Sequence, residues 1–374
     1  MYSVIRPWST YGVPPAERIL SQVFQDNGYQ TAVIGKWHLG HGHRDLIPSR
    51  RGFDHFYGHV NAEIDYFEHT KLGGLDWQRN GTGIREPGYA TELLGREAVR
   101  WLVDRDKARP FFLYLPFNAI HSPMQAPPEA LARFRHVADP KRRALAAMLH
   151  VLDSQIGRVL DTVERQGAVN NTLVLFLSDN GGATGAGSIN TPFRAGKLTP
   201  YEGGLRVPAA MRWPGVLQAG STAGAWMTVL DVFPTLAAAA GVPTGKTLPL
   251  DGVDMWPALL HGRRVQNPDF FVACKRNETL DFQYALRSGA WKLVQTVNPR
   301  AEVRAELFNL DEDPGERVNR AEQEPGHVTR LGGEIERWKK IHPQTDYHSS
   351  MNPHPGWIAP ADYAQLAAGY PIIQ

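Results

Sequence analysis

Thr31-Ala32-Val33-Ile34-Gly35-Lys36-Trp37-His38-Leu39-Gly40-His41 sets a short run of strand formers directly before a lysine and two histidines. In an α/β sheet the carboxyl end of a strand is where ligands gather. A strand over 31–34 that ends at Gly35 therefore delivers Lys36 and His38 to that edge. Standing two apart, they face the same way in extended backbone. Leu173-Val174-Leu175-Phe176-Leu177, followed by Ser178-Asp179-Asn180-Gly181-Gly182, repeats the arrangement with oxygen-bearing side chains. Two strand ends carrying Lys, His, Asp and Asn point to one anion-binding, metal-assisted site on an α/β sheet.

Outward from these stretches, helical and strand patterns alternate. Residues 15–27 carry Ile19, Leu20, Val23 and Phe24 at helical spacing, and Asn27-Gly28 is a stop signal. Residues 91–106 read as an amphipathic helix, 111–117 as a buried strand, and 140–166 as a long helix feeding the strand 173–177. That order predicts a mostly parallel sheet covered on both faces. Near Asn267 the texture changes to short, turn-separated strands at 270–273, 284–287, 291–294 and 305–309, then a helix over 328–340. The expected division is a large domain over 1–266 and a smaller α+β unit over 267–374, ending in a Pro-rich wrapping tail.

The 374 residues hold ample material for a core, with 40 Lys and Arg against 38 Asp and Glu. No basic stripe of the kind that binds nucleic acid is present, and Lys141-Arg142-Arg143 reads as a solvated helix face. A single cysteine, Cys274, excludes an intrachain disulfide and Cys-based zinc sites. Residues 1–17 show no apolar signal-peptide core, and the most apolar window, 226–242, is broken by Asp231 and Pro234, so no membrane span is expected.

Asp179 and Asn180 offer hard oxygen ligands suited to calcium or magnesium. The tetrapeptide alone reads equally as a turn; its place after a buried strand favours the site. Lys36 suits a sulfate or phosphate oxygen, and His38 can move a proton near neutral pH. His38, His41 and His43 are the alternative, a transition-metal cluster, without Cys or carboxylate beside them. His121 follows the strand at 111–117 within Asn118-Ala119-Ile120-His121-Ser122-Pro123. Lys197 follows Gly196, but Leu198 stands where a nucleotide-binding loop needs Ser or Thr.

Gly35-Lys36-Trp37-His38-Leu39-Gly40-His41, His121-Ser122-Pro123, Ser178-Asp179-Asn180-Gly181-Gly182 and Gly196-Lys197 with Glu202-Gly203-Gly204 and Arg206-Val207-Pro208 occur in the order of type I sulfatases. The chain resembles that family along nearly its whole length, most closely the arylsulfatase B-like branch. The resemblance implies an alkaline-phosphatase-like α/β domain with a smaller C-terminal antiparallel sheet and helix. It implies that Asp179 and Asn180 are two ligands of Ca2+ or Mg2+. Lys36, His121 and Lys197 would bind the sulfate group, with His121 or Lys197 aiding the leaving alcohol and His38 serving the nucleophile. That nucleophile is a formylglycine made from Cys or Ser in a Cys/Ser-x-Pro/Ala-x-Arg motif by a formylglycine-generating enzyme. By resemblance the setting is periplasmic, secreted or lysosomal.

The sequence departs from the family in one respect: neither that motif nor the paired aspartates of the metal site is found, and Cys274 lacks the motif's context. The expectation is an N-terminally truncated, inactive chain. The alternatives are a phosphohydrolase of the same superfamily, against which Asn180 stands in place of His, and a non-catalytic sulfate-ester-binding protein. Phe53, Phe56, Tyr57, Tyr66 and Phe67 are candidates for a substrate rim or for core. Asn80-Gly81-Thr82, Asn170-Asn171-Thr172 and Asn277-Glu278-Thr279 are glycosylation sequons.

Overall fold

The computed structural model describes residues 4–275, 281–342, 352–353 and 355–368, so the sequon at Asn277 lies outside the described residues. The chain forms two compact units. The first comprises Ile5–Thr172, Trp213–Arg264 and Asn352–Gln374; the second comprises Met1–Val4, Leu173–Arg212 and Val265–Met351.

The first unit opens with α1 (Leu20–Asp26) and β1 (Gln30–Lys36). The helix starts later than its apolar spacing suggests because Gln22 folds back to accept from the Ile19 N–H, closing the N-terminus after the Pro14-Pro15 turn. β2 (His55–His59), two short hairpins of β3 (Thr70–Lys71) with β4 (Gly74–Leu75) and β5 (Gln78–Arg79) with β6 (Thr82–Gly83), α2 (Ala90–Asp104) and β7 (Phe111–Tyr114) follow. Then come α3 (Pro128–Arg133) and α4 (Pro140–Arg165), whose Asp139 cap accepts from the Arg142 N–H.

The sheet order is β6-β5-β2-β1-β7, with β1 parallel to both β2 and β7. Alternation along β1 sorts its side chains to two cores. Ala32 and Ile34 join α2 and α4 residues such as Leu94 and Met148, whereas Val33 packs with Phe53 and Phe56 on the other face. Both faces are covered, as a parallel sheet requires.

The second unit begins with β8 (Val174–Leu177), α5 (Glu202–Leu205) and β9 (Ala209–Arg212). Among the described residues β8 is antiparallel to β9, its one partner, rather than a further parallel strand. The chain returns to the first unit for α6 (Val232–Ala240) and α7 (Trp256–His261). The second unit then closes with the antiparallel sheet β10 (Phe270–Lys275), β11 (Phe282–Ser288), β12 (Trp291–Val297) and β13 (Val303–Asn309). α8 (Pro325–Ile341) lays Leu331 and Ile335 against Leu286, Leu293 and Leu307 of that sheet. Residues 360–364 of the tail return to the first unit, where the Leu75 N–H donates to Ala361 O at 2.9 Å and Tyr363 is buried beside Val33. No helix among the described residues is long and apolar enough to cross a membrane.

Candidate functional site

In the first unit, two glycines shape the carboxyl end of the sheet. Gly35 and Gly58 are paired across β1 and β2, at φ 137° and 140°. A Cβ on Gly35 would lie 2.0 Å from Pro116 O, and one on Gly58 would lie 2.1 Å from Gly35 O. Only glycine lets three strand ends run this close. The Lys36 N–H then donates to Pro116 O at 2.8 Å and the Trp37 N–H to His59 O at 2.8 Å. Trp37 turns into the core and donates from Nε1 to Gly40 O and Leu46 O, pinning the loop that follows.

His38 does not continue the strand. Its φ of 51° puts it in the left-handed region, so the extended spacing that would set it parallel to Lys36 ends one residue too early. Its Nε2–H donates to Ile5 O at 2.8 Å, leaving Nδ1 as the proton-accepting atom. Burial, reinforced by the Lys36 charge, lowers its pKa from 6.5 to about 4, so the ring is neutral at physiological pH. His41 is buried and donates to Pro7 O, whereas the His43 Nδ1 accepts from the Asp45 N–H as a cap.

His121 is set by its loop: its N–H donates to Asn118 O, and its carbonyl accepts from the Tyr66 hydroxyl. Nδ1 donates to Ser122 O at 2.9 Å and stands 3.4 Å from Glu63 Oε2. Burial raises the Glu63 pKa, but the hydrogen bond and charge of Lys71, with His121 and Lys36, more than offset it and leave it lowered. Lys36, His38 and His121 are thus brought near enough for Lys36 and His121 each to lower the His38 pKa.

Sequence reading missed His59, Asn118 and Glu63. His59 is fully buried; its Nδ1–H donates to Asn61 O, and among the described residues Nε2 has no hydrogen-bond partner. Burial and then the Lys36 charge hold it neutral. Both side-chain polar atoms of buried Asn118 are likewise without a partner among the described residues. Such orphans cost about 1–3 kcal/mol each, and these two residues lie at the end of β2 and in the loop after β7. A signal for His59 existed: Phe56-Tyr57-Gly58-His59 repeats the apolar-glycine-cation order of Val33-Ile34-Gly35-Lys36. Of the rim candidates, Phe53, Phe56, Tyr57 and Tyr66 are core, and only Phe67 is exposed.

These titrations predict acid lability. A lowered histidine pKa means that the unfolded chain binds protons first, so the stability is present above pH 6.5 and is lost as pH falls toward 4. The His38 shift to about 4 corresponds to about 3 kcal/mol, and His41 and His59 act in the same direction. Asp76 opposes them. Burial raises it to about 6 although Val60 and Asn61 donate to it, so its contribution is lost as pH rises from 3.8 to 6. Three histidines outweigh one carboxyl. Urea midpoints should fall between pH 7 and 4.5, and His38→Asn should flatten that fall; an equal slope would deny His38 this burial.

In the second unit, the motif turn and the Lys197 loop are knitted together. The Gly181 N–H donates to Gly204 O, and the Lys197 N–H to Gly182 O. Asn190 accepts from the Gly182 N–H and donates to both Gly182 O and Ala195 O. A Cβ on Gly181 would meet Gly203 O at 1.8 Å. Ala195 and Leu198, at φ 62° and 69°, hold half-buried Lys197 between two left-handed residues. Such strain costs on the order of 1–3 kcal/mol per residue and concentrates at functional loops.

Asp179 is exposed, and Asn180 spends Nδ2 on Gly181 O, which leaves its Oδ1 available. This pair suits a hard cation. Among the described residues no group of three or more His, Cys, Asp and Glu is placed to hold a metal, so the pair fits as part of a donor set.

The Sulfatase family matches residues 2–242, and the N-sulphoglucosamine sulphohydrolase C-terminal family matches residues 196–337. Arylsulfatase J of Mus musculus is 30% identical over 91% of this chain and 65% of its own length. N-acetylgalactosamine-6-sulfatase of Homo sapiens is 31% identical over 72% of this chain and 53% of its own. The chain therefore spans about half to two thirds of these relatives. The crystal structure of Ps i-CgsB in complex with k-i-k-neocarrahexaose superposes with a TM-score of 0.82 at 29% identity, covering 96% of this chain and 80% of that one. With the family matched over more than half its residues and the same α/β architecture in a solved relative, this chain belongs to the sulfatase family.

Proposed function

We propose that the chain serves sulfate-ester hydrolysis, with a carbohydrate or aryl sulfate as substrate. The observation that carries this is the convergence of Lys36, His38 and His121 at one carboxyl edge of the first unit's sheet. Lys36 and His121 oppose the charge of the sulfate oxygens, a role that the family resemblance also gives to Lys197. His121, with Glu63 Oε2 3.4 Å from its Nδ1, gives a proton to the departing alcohol. Neutral His38 takes up a proton at Nδ1 and serves the nucleophile. The similarity to an N-acetylgalactosamine-6-sulfatase and to a protein solved in complex with k-i-k-neocarrahexaose supports the carbohydrate class.

Asp179 and Asn180 would hold Ca2+ or Mg2+, which when bound orients sulfate and opposes its charge. The family's formylglycine supplies the attacking oxygen and is made by a formylglycine-generating enzyme. Its Cys/Ser-x-Pro/Ala-x-Arg motif is not among the 374 residues, and Cys274 sits in β10 of the second unit. Retention of Lys36, His38, His121 and Lys197 fits equally a second reading, a sulfate-ester-binding protein without turnover.

Assay of phenyl sulfate and of a galactose monosulfate separates the two. The 374-residue chain is expected to turn over neither. A chain extended through such a motif and co-expressed with the generating enzyme should hydrolyse at least one, and lose that activity on Asp179→Ala. Turnover by the 374 residues alone would overturn the need for formylglycine. Binding without turnover by the extended chain would favour the second reading.

A further inference from the structure

We propose that the cavity of about 360 Å³ bounded by Glu63, Thr70, Lys71, Leu72, Ser122 and Pro123 receives the hydroxyl-bearing ring of a sulfated sugar, with the Glu63–Lys71 pair gripping a hydroxyl beside the ester. The proposal rests on the sulfatase reading above. The volume falls within the range of small-molecule sites, about 300–1,000 Å³.

Lys71 Nζ lies 2.5 Å from Glu63 Oε1, with the two side chains 16% and 34% exposed. A joined carboxylate and ammonium have no net charge, so the pair selects neither cation nor anion. It suits a neutral group that both donates and accepts: the carboxylate takes the hydroxyl proton while the ammonium donates to its oxygen. Asp65 also lines the cavity but is committed, its oxygens accepting from the Phe67 and Glu68 N–H groups and from Gln125 Nε2. Leu72 and Pro123 supply apolar surface for the C–H face of a ring. Leu72 sits at the tip of the β3–β4 hairpin, 55% exposed at φ 50°.

The cavity's position joins it to the anion site. Ser122 and Pro123 directly follow His121, and Glu63 stands 3.4 Å from His121 Nδ1 on its other oxygen. A hydroxyl held by Glu63 and an ester held by His121 would therefore belong to adjacent positions of one small ring. Phenyl sulfate has no hydroxyl to satisfy the pair and would leave it desolvated without compensation.

Calorimetric titration of the 374-residue protein with inorganic sulfate, galactose, a galactose monosulfate and phenyl sulfate tests this. The sugar sulfate is expected to bind about ten- to a hundredfold more tightly than inorganic sulfate or phenyl sulfate. Lys71→Met should remove that advantage and leave inorganic sulfate within about twofold. Leu72→Trp, which crowds the cavity mouth and spares both charges, should do the same. Equal affinities for the three sulfates, or a sugar advantage unchanged in both variants, would overturn the proposal. Galactose binding that depends on Lys71, without any binding of inorganic sulfate, would keep the sugar site and remove the sulfatase reading. Binding of neither would remove both.

Discussion

Lys292→Ala is expected to lower the unfolding free energy by about 3–5 kcal/mol, the usual cost of breaking a buried ion pair from one side. Lys292 is 1% exposed, with Nζ 2.9 Å from Glu202 Oε1 and 2.8 Å from Glu316 Oε1. The second contact is an ion pair without a well-directed hydrogen bond to Oε1, whereas Glu316 Oε2 accepts from the Glu202 N–H at 2.6 Å. Removing the ammonium leaves two carboxylates facing each other in the core. Burial already pushes the Glu316 pKa up, and without Lys292 it must rise further. A carboxyl whose folded pKa is raised loses its contribution as pH rises through that value, so the variant's deficit should be larger at pH 7 than at pH 5. Urea denaturation at both pH values checks this. A deficit independent of pH would mean that the lost packing of the lysine stem, not charge, is the cause.

The same cluster explains why part of the site was hidden in the sequence. Glu202 belongs to the Glu-Gly-Gly turn that packs on Gly181, so Lys292 and Glu316, far along the chain, secure the strap that carries Lys197. No periodicity marks such a contact, and Lys292 looked like an ordinary strand lysine in Trp291-Lys292-Leu293-Val294. The elements were legible because their signals are local. The four strands of β10–β13 each include the expected residues, and α4 runs over Pro140–Arg165 against an expected 140–166. The antiparallel pairing of β8 was not legible, since an apolar run of five residues carries no directional signal. Lys36 and His121 stood out as polar residues after apolar runs. Glu63 and Asn118 did not, because their meaning comes from a neighbour: His121 for the one, and buried orphan atoms for the other.

Gly35→Ala should cost about as much as the loss of Lys292, for a reason of shape rather than charge. At φ 137° an L-residue is strained by about 1–3 kcal/mol. The new methyl, 2.0 Å from Pro116 O, adds an overpacking cost of about 1–3 kcal/mol more. The sum of about 2–6 kcal/mol compares with a typical total stability of about 5–15 kcal/mol. Gly157, inside α4 with nothing within 4 Å of its would-be Cβ, is the matched control. There alanine should be neutral or stabilising by up to about 1 kcal/mol, because helix propensity is the only term that changes. The Gly35 variant also loses function in whatever fraction stays folded. Relief of the clash requires Pro116 to retreat, which breaks the 2.8 Å bond that fixes the Lys36 backbone. Sulfate affinity measured by calorimetry on folded protein should therefore fall for Gly35→Ala and hold for Gly157→Ala. If Gly35→Ala unfolds at the wild-type urea concentration and binds sulfate normally, the close crossing of β1 and Pro116 does not position Lys36.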